Sequence, residues 1–166
     1  MNGITFEQRN VRALDDARIY ESLYEDGILR GCAVTFSGAS LTIGAGAMLI
    51  RGRQFAIDTA QTFAASPTYP NGYGRLKLTI DLAAAPSASS ASQWAVSWQY
   101  ASTNSFAVLV QEDINNGSDT DYEVELCRVK FTAGSIESIL SQIGRVAVLS
   151  GVFGLGKPIQ TGDDLH

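Results

Sequence analysis

Side chains that commonly carry catalysis are scarce in this sequence. Its single histidine is His166, the last residue. Ser-His-Asp and Cys-His arrangements and histidine-rich metal sites all need an imidazole beside the reacting group, so each would depend on this terminal residue. A pair of carboxylates could still act as acid and base, because such residues meet only in space. Among 17 acidic residues no pair stands out, and we expect a protein without catalytic residues, cofactor or metal.

The glycines around residue 45 do not form a phosphate site. No GxxxxGK[ST] loop is present, and the GAGAML stretch at Gly44 and Gly46 lacks the third glycine and the following helix of a dinucleotide fingerprint. We interpret these glycines as turns.

An acidic segment, residues 112–121 (EDINNGSDTD), offers several oxygen ligands of the kind that calcium prefers. They are Asp113, Asn115, Asp119 and Asp121. The EF-hand spacing fails, since Gly117 occupies the fifth position and no helices flank the loop. We interpret the segment as a solvated hairpin loop, with a calcium site as the alternative.

The two cysteines, Cys32 and Cys127, lie in predicted strands and lack a CxxC spacing. This pattern favours buried free thiols, and a disulfide would require neighbouring strands.

Aromatic residues offer a different chemistry, since their rings can stack on a sugar. Tyr69 and Tyr73 lie in the turn-rich loop from Ala64 to Gly74, where they either contact a glycan or cover their own loop. Trp94 and Trp98 share one face of a predicted strand with Val96 and Tyr100; we favour the core over an exposed platform for this face.

Composition excludes several classes of protein. The chain has 166 residues and a net charge of −5, which argues against nucleic-acid binding because phosphate affinity needs a basic face. No signal peptide opens it and no apolar run approaches the ~20 residues of a membrane span. We therefore expect a soluble protein made in a reducing cytoplasm, with no nucleic-acid partner and no membrane insertion.

The residues that could do chemistry must be positioned by a mainly β fold. A helix is predicted from Leu14 to Tyr24, with apolar residues at helical spacing and acidic residues in its first turn. From Gly27 to Ile57, short alternating runs closed by glycines predict a meander of small antiparallel strands. The continuous run Met48-Leu49-Ile50 predicts a strand covered on both faces.

The second half continues this pattern. Gly74–Leu82 is predicted as a strand with one core face and one wet face. Residues 83–92 are predicted to form a small-residue loop, and further strands are predicted at 94–101, at Phe106 to Val110 and from Tyr122 onward. The last of these changes phase, which predicts a β-bulge near Cys127 or Arg128. A short helix over 135–143 is permitted by the helical spacing of four apolar residues, Ile136, Ile139, Leu140 and Ile143.

The fold prediction is therefore a mainly β protein, an antiparallel sandwich or barrel-like meander with one N-terminal helix and a short helix near 135–143. We divide the chain into an arm and helix (1–26), a single β-rich domain (27–156) and a polar tail (157–166). The apolar piece 146–155 is either a last core strand or a surface offered to another chain.

Three motifs in order resemble the N-terminal structural domains of tailed-phage baseplate and tail-fibre proteins. They are YEDGILRGCAVTFSGASLTIGAGAMLIRGRQFAI, YGRLKLTIDL and YEVELCRVKFTAGSIESI, and the similarity spans Asp15 to Arg145. The chain departs where that family closes with Asp-x-Arg, because Gln142-Ile143-Gly144-Arg145 keeps only the arginine. The resemblance therefore does not fix the path after Ile143.

The resemblance implies a structural adaptor of the virion tail, assembled in the bacterial host cytoplasm, that forms a homotrimer and joins other tail or baseplate proteins to receptor-binding parts. The tyrosines of the helix and the apolar ends of the chain are the expected contacts. The interface residues predicted in this way are Phe6, Tyr20, Tyr24, Val148, Leu149, Val152 and Phe153. The alternative function is a carbohydrate-binding module that recognises a host surface glycan through Tyr69 and Tyr73 or the Trp94 and Trp98 face.

Overall fold

The computed structural model describes residues 13–85 and 93–147. Within these ranges it contains one helix and ten strands. The elements are α1 (Ala13–Leu23), β1 (Gly27–Gly31), β2 (Val34–Ser37), β3 (Ser40–Ile43), β4 (Gly46–Ile50), β5 (Arg53–Ile57), β6 (Gln61–Ala64), β7 (Tyr73–Asp81), β8 (Trp94–Ala101), β9 (Asp121–Thr132) and β10 (Ser135–Gln142).

The strands form three antiparallel sheets. One has four strands in the order β10-β9-β7-β8, and the other two have three strands each, β1-β4-β5 and β2-β3-β6. The sheets do not close into a barrel, so the prediction of a mainly β, sandwich-like meander with an N-terminal helix is confirmed. Within the meander β2-β3 and β4-β5 are hairpins, whereas β1 pairs with β4 and β3 with β6, so the two small sheets interleave.

Tight turns set the register of two hairpins. Ile50 pairs with Arg53 across Arg51 and Gly52, whose φ angles are 48° and 70°. Thr132 pairs with Ser135 across a second turn in which both central residues also have positive φ. Positive φ at both central positions is the signature of a type I′ turn, whose twist matches that of the flanking strands.

All three sheets contribute to one apolar core. β7 supplies Leu76, Leu78 and Ile80 from alternate positions, as its period of two predicts. Leu41 and Ile50, from the two small sheets, are fully buried against them. All five residues of β4 are buried, which confirms the prediction of a strand covered on both faces.

The predicted helix over 135–143 is wrong, because Ser135–Gln142 is strand β10. Its register against β9 shifts twice, between Ile136 and Ser138 and between Ile139 and Ser141. Each shift adds a residue to the repeat, so apolar residues fall three apart instead of two. Bulges in a strand thus imitated helical spacing.

The bulge predicted in β9 is confirmed within a residue. Leu76 pairs with Cys127 and Lys77 with Glu125, so Leu126 is the extra residue. Leu126 and Cys127 are consecutive and both buried, which accounts for the change of phase along the sequence.

The strand predicted from Phe106 to Val110 is wrong. Residues 105–110 belong to no sheet, and Val108 is 94% exposed. The segment instead crosses the polar face of the four-stranded sheet. It reaches the edge of β9 only at its end, where Glu123 N donates to Val110 O over 2.6 Å.

Candidate functional site

The outer face of α1 borders an open groove that we call the helix groove. Tyr20 and Tyr24 lie on one side, and Leu29 of β1 and Leu49 of β4 lie beside them. The cavity measures about 610 Å³, and its other lining residues are Ala13, Asp16, Gly52, Arg53 and Gln54. Tyr20 is 48% exposed and Leu29 is 41% exposed. Large apolar side chains therefore cluster on this surface of the described chain.

A buried amide fixes the helix to the β domain. Asn115 is 1% exposed, and its Oδ1 accepts a hydrogen bond from Arg53 Nη1 over 2.6 Å. Its Nδ2 donates to Glu21 Oε2 at 2.6 Å and to Arg51 O at 3.1 Å, and its backbone oxygen accepts from Arg18 Nε at 2.6 Å. Asn115 thus joins α1, the β4-β5 turn and the loop before β9, and we call this set of contacts the Asn115 hub.

The β4-β5 turn completes the attachment. Arg51 binds Glu21 at 2.6 Å and Asp113 at 3.1 Å, and its backbone N–H donates to Asp26 Oδ1 over 2.6 Å. A positive φ is costly for a residue with a side chain, and it persists where surrounding contacts determine it. Gly52 follows at φ 70°, and a Cβ on it would collide with the carbonyl of Ala17 in α1.

Tyr122 of β9 closes the inner end of this attachment. Its hydroxyl donates to Asp26 Oδ2 over 2.9 Å, and the Arg51 guanidinium lies 5.2 Å from its ring centroid. Burial, followed by the charge of Asp26, raises the pKa of Tyr122. The phenol is therefore kept neutral and serves as a hydrogen-bond donor.

The helix groove contains two of the predicted interface residues, Tyr20 and Tyr24. The others, Phe6, Val148, Leu149, Val152 and Phe153, lie outside the described residues. Residues 144–147 run alongside β1, where Ile28 N donates to Gly144 O at 2.8 Å and Val146 N donates to Ile28 O at 3.1 Å. The chain after Ile143 therefore returns to β1, a path that the resemblance left open.

The predicted glycan residues, Tyr69 and Tyr73, differ in environment. Tyr69 is 44% exposed, whereas Tyr73 begins β7 and is half-buried. The loop that carries Tyr69 packs against the β9-β10 turn, since Gly134 N donates to Pro70 O over 2.9 Å and Ala133 N to Asn71 Oδ1 over 2.9 Å.

The aromatic residues of β8 divide between core and surface. Trp98 stacks on Tyr100 and meets Phe131 edge-on, at centroid distances of 6.1 and 6.2 Å. These two β8 rings pack against the core, as predicted. The core prediction is wrong for Trp94, which is 44% exposed and meets Phe55 edge-on at 5.7 Å.

A second groove, which we call the Trp94 groove, opens between β8 and the strands β5 and β6. It measures about 520 Å³. Its walls are apolar and its rim is polar. The wall residues include Phe55, Ile57, Phe63, Trp94 and Val96, and the rim carries Asp58, Thr59 and Gln61.

The polar face of the four-stranded sheet is less exposed to solvent than predicted. Arg75 is only 4% exposed, because Phe106 lies over its guanidinium at 5.0 Å and Ala107 O accepts its hydrogen bond at 2.9 Å. Burial lowers the pKa of Arg75, and the nearby Glu125 opposes that shift. The Arg128 guanidinium also lies over the Phe106 ring, 5.2 Å from its centroid. Residues 105–110 thus cover a charged cluster.

Glu125 is the central acid of this cluster. Arg128 donates to it from Nη2 at 2.6 Å and Ser141 from Oγ at 2.7 Å. Burial alone would raise the pKa of Glu125, but these hydrogen bonds and the arginine charge hold it below the ordinary 4.5. Lys77 forms a similar pair with Glu123.

The loop at 112–121 is not the solvated hairpin that its sequence predicts. It joins the covering segment to β9, and Ile114 and Asn115 are buried. Asp113 Oδ1 accepts from Asn116 N and from Arg51, so this carboxylate orders the loop. Across residues 13–85 and 93–147, no group of three or more His, Cys, Asp or Glu side chains is placed to hold a metal ion.

Both cysteines are buried free thiols, as predicted. Cys32 lies between β1 and β2 at φ 57°, outside a strand, while Cys127 lies within β9. Burial raises the pKa of Cys127 to about 12, and Glu125 adds to the shift. These thiols are poor nucleophiles at neutral pH because little thiolate forms.

Sequence reasoning missed Asn115 as a structural residue. The only signal was its place in an Asp-x-Asn-Asn-Gly run, which we interpreted as a turn. Its side-chain partners lie 94, 64 and 62 residues away along the chain, so no local pattern could reveal them.

In the described part of the chain, no helix is long and apolar enough to cross a membrane. Comparison with protein-family models finds no match, and comparison with curated proteins finds none. The function proposed below therefore depends on the residues and on the geometry described above.

Proposed function

We propose that this chain is a structural subunit of a phage tail or baseplate, which assembles as a homotrimer through the helix groove and connects other tail proteins to receptor-binding parts. The observation that carries the proposal is the exposed aromatic face of a helix held firmly to the β domain. Tyr20 is 48% exposed on this face, while Asn115 beneath the helix is 1% exposed.

The rigidity of the helix favours an assembly role. An apolar surface that is already ordered loses little conformational entropy when a partner covers it. Covering Tyr20 and Leu29 would remove apolar area from water. Because these side chains are 48% and 41% exposed, each would contribute roughly half of the ~1.5–3 kcal/mol that full burial gives. Tyrosine suits an interface because its ring is apolar and its hydroxyl can hydrogen-bond at the rim.

A second copy of the chain is the partner that the groove favours. Its lining carries both an acid, Asp16, and a base, Arg53, beside the tyrosines. Copies arranged around an axis can therefore pair opposite charges as well as apolar side chains. The phage assignment is supported by the order of the three sequence motifs.

Sedimentation equilibrium tests the assembly. We expect a solution mass that is a multiple of three times the 17.7 kDa chain. Tyr20→Asp should lower that mass three-fold, because it places a charge in the apolar contact. Ser22→Asp is the matched control: Ser22 lies on the same helix outside the groove lining and is exposed. A wild-type mass that is not a multiple of three chains, or an unchanged mass for Tyr20→Asp, would overturn the proposal.

Binding of a neutral sugar at the Trp94 groove is a second candidate function. One observation favours it: a half-exposed indole, held edge-on by Phe55, borders an apolar groove with a carboxylate, a hydroxyl and an amide at its rim. Sugar rings combine an apolar face with hydroxyl groups, which such a site matches. The sequence predicted a sugar contact either at the Trp94 and Trp98 face or at Tyr69 and Tyr73, and the latter site has one exposed ring and one half-buried ring.

A glycan array compares these sites directly. If the Trp94 groove binds, Trp94→Ala abolishes the signal and a Tyr69→Ala, Tyr73→Ala double variant retains it. If instead Trp94→Ala retains the signal and the double variant loses it, the sugar binds at the loop that carries Tyr69. An array without signal for the wild-type protein would remove the sugar-binding candidate.

A further inference from the structure

Strand β8 forms one edge of the four-stranded sheet. It is the last strand of the β10-β9-β7-β8 sheet, and within the described ranges no backbone hydrogen bond reaches its outer side. The opposite side of the sheet makes backbone hydrogen bonds to other segments. Gly38 O accepts from Ile136 N of β10 at 2.8 Å, and Val110 O accepts from Glu123 N of β9 at 2.6 Å. In the described part of the chain, one side of this sheet is thus joined to other backbone segments and the β8 side is not.

The sequence of β8 lacks the features that usually prevent an edge strand from pairing with another strand. Soluble proteins commonly protect an edge with lysine, other charges, proline or a bulge. The strand WAVSWQYA contains no charged residue and no proline. It pairs with β7 at eight consecutive positions without a register shift. In an antiparallel ladder about half of the N–H and C=O groups point away from the existing partner, so β8 offers a regular row of donors and acceptors.

We propose that this edge pairs with β8 of a second copy, antiparallel about a two-fold axis near Ser97, which would join two four-stranded sheets into one. The strand is suited to its own copy. With Ser97 opposite Ser97, Trp94 would face Tyr100 and Val96 would face Trp98 on the core side. Ala95 would face Gln99 on the other side.

These cross-strand pairs explain the choice of partner. Aromatic and β-branched pairs stabilise antiparallel strands, and no like charges would be placed opposite each other. A register that keeps the core side continuous must place residues of the same face opposite one another, which the arrangement about Ser97 does. The half-exposed Trp94 would gain a ring to contact.

The β8 pairing is additional to the trimer proposed through the helix groove, and it does not depend on that trimer. An antiparallel strand pair is isologous, with two-fold symmetry, whereas the helix contact is proposed as three-fold. The two therefore predict different changes in mass. Loss of the β8 pair halves the assembly, and loss of the helix contact divides it by three.

A charge at the axis provides the test. Ser97 is exposed and pairs with Lys77 of β7, which already binds Glu123. We expect Ser97→Glu and Ser97→Lys each to halve the solution mass, because two like charges would meet at the axis. An equimolar mixture of the two variants should restore the wild-type mass, since opposite charges would then meet. Ser97→Thr is the matched control and should keep the wild-type mass.

The outcomes separate the possibilities. A mass unaltered by either charged variant would overturn the β8 pairing, whatever Tyr20→Asp does. So would a mixture that stays at half mass. Because a charged variant could lose its fold, circular dichroism accompanies each measurement, and hydrogen exchange of the wild type provides a test without substitutions. Outward-facing β8 amides should exchange more slowly as the protein concentration rises; exchange that is independent of concentration would also overturn the proposal.

Discussion

Replacing Asn115 with alanine should destabilise the protein far more than its position in an acidic loop suggests. The substitution removes three side-chain hydrogen bonds, from Arg53, to Glu21 and to Arg51 O. A hydrogen bond to a charged group contributes ~1.5–3 kcal/mol and a neutral one about 1 kcal/mol. The gross loss is therefore about 4–7 kcal/mol.

The net cost should be smaller, since water can reach part of the vacated site. The Glu21 side chain is 19% exposed and keeps its ion pair with Arg51, and Arg53 still donates to Arg51 O, so neither charged partner is left without a contact. We expect a net loss of about 3 kcal/mol in the free energy of unfolding. For a protein of this size that corresponds to a fall in Tm of roughly 6–12 °C.

Urea unfolding followed by tryptophan fluorescence measures this loss. Asn116→Ala is the control, because Asn116 is the next residue, has the same chemistry and is exposed. Its loss should stay below about 0.5 kcal/mol. Hydrogen exchange adds a local readout: amides of α1 should exchange faster in Asn115→Ala than in the control. Equal unfolding free energies for the two variants would refute the assignment of Asn115 as the attachment of the helix.

Three further outcomes follow from the geometry. Gly52→Ala should cost more than about 3 kcal/mol, because it combines positive φ with a collision, whereas Gly134→Ala, also at positive φ but with open space around it, should cost about 1 kcal/mol in urea unfolding. The folded-state pKa of Glu125 is lowered, so its stabilising contribution is present above the unfolded pKa near 4.5 and is lost as pH falls through the folded value. Glu125→Gln should therefore flatten the dependence of the urea midpoint on pH in acid, and a parallel curve would contradict this. Cys127 should react with a thiol reagent only in denaturant, and rapid labelling of the native protein would contradict its burial.

Local patterns were sufficient for much of the β architecture. β7 alternates cleanly because one face enters the core, and β4 is continuous because both faces are covered. The phase change in β9 identified its bulge, because one extra residue moves the following side chains to the other face. The β10 prediction failed for a related reason: two bulges in eight residues produced a spacing that a helix would also produce.

Periodicity was least informative where an extended segment meets a polar surface. Phe106, Val108 and Val110 alternate as a strand would, yet Phe106 contacts two guanidinium groups and Val108 is almost fully exposed. Alternation reports an extended backbone, but it does not say whether a neighbouring strand pairs with it. That pairing depends on residues far along the chain.

The candidate site also depends on contacts between residues that lie far apart in the sequence. The sequence predicted Tyr20 and Tyr24 as contact residues, because their hydroxyls are unsuited to a dry core. What presents them is the Asn115 hub, which connects a helix, the β4-β5 turn and an acidic loop. The positive φ angles of this turn suit its hairpin, and the turn also packs closely on the helix, since a Cβ on Gly52 would collide with the carbonyl of Ala17. Since Arg51 of this turn contacts Glu21 on the helix, the attachment and the exposed tyrosine face are parts of one arrangement. A variant that frees the helix should therefore weaken assembly without altering any residue at the interface.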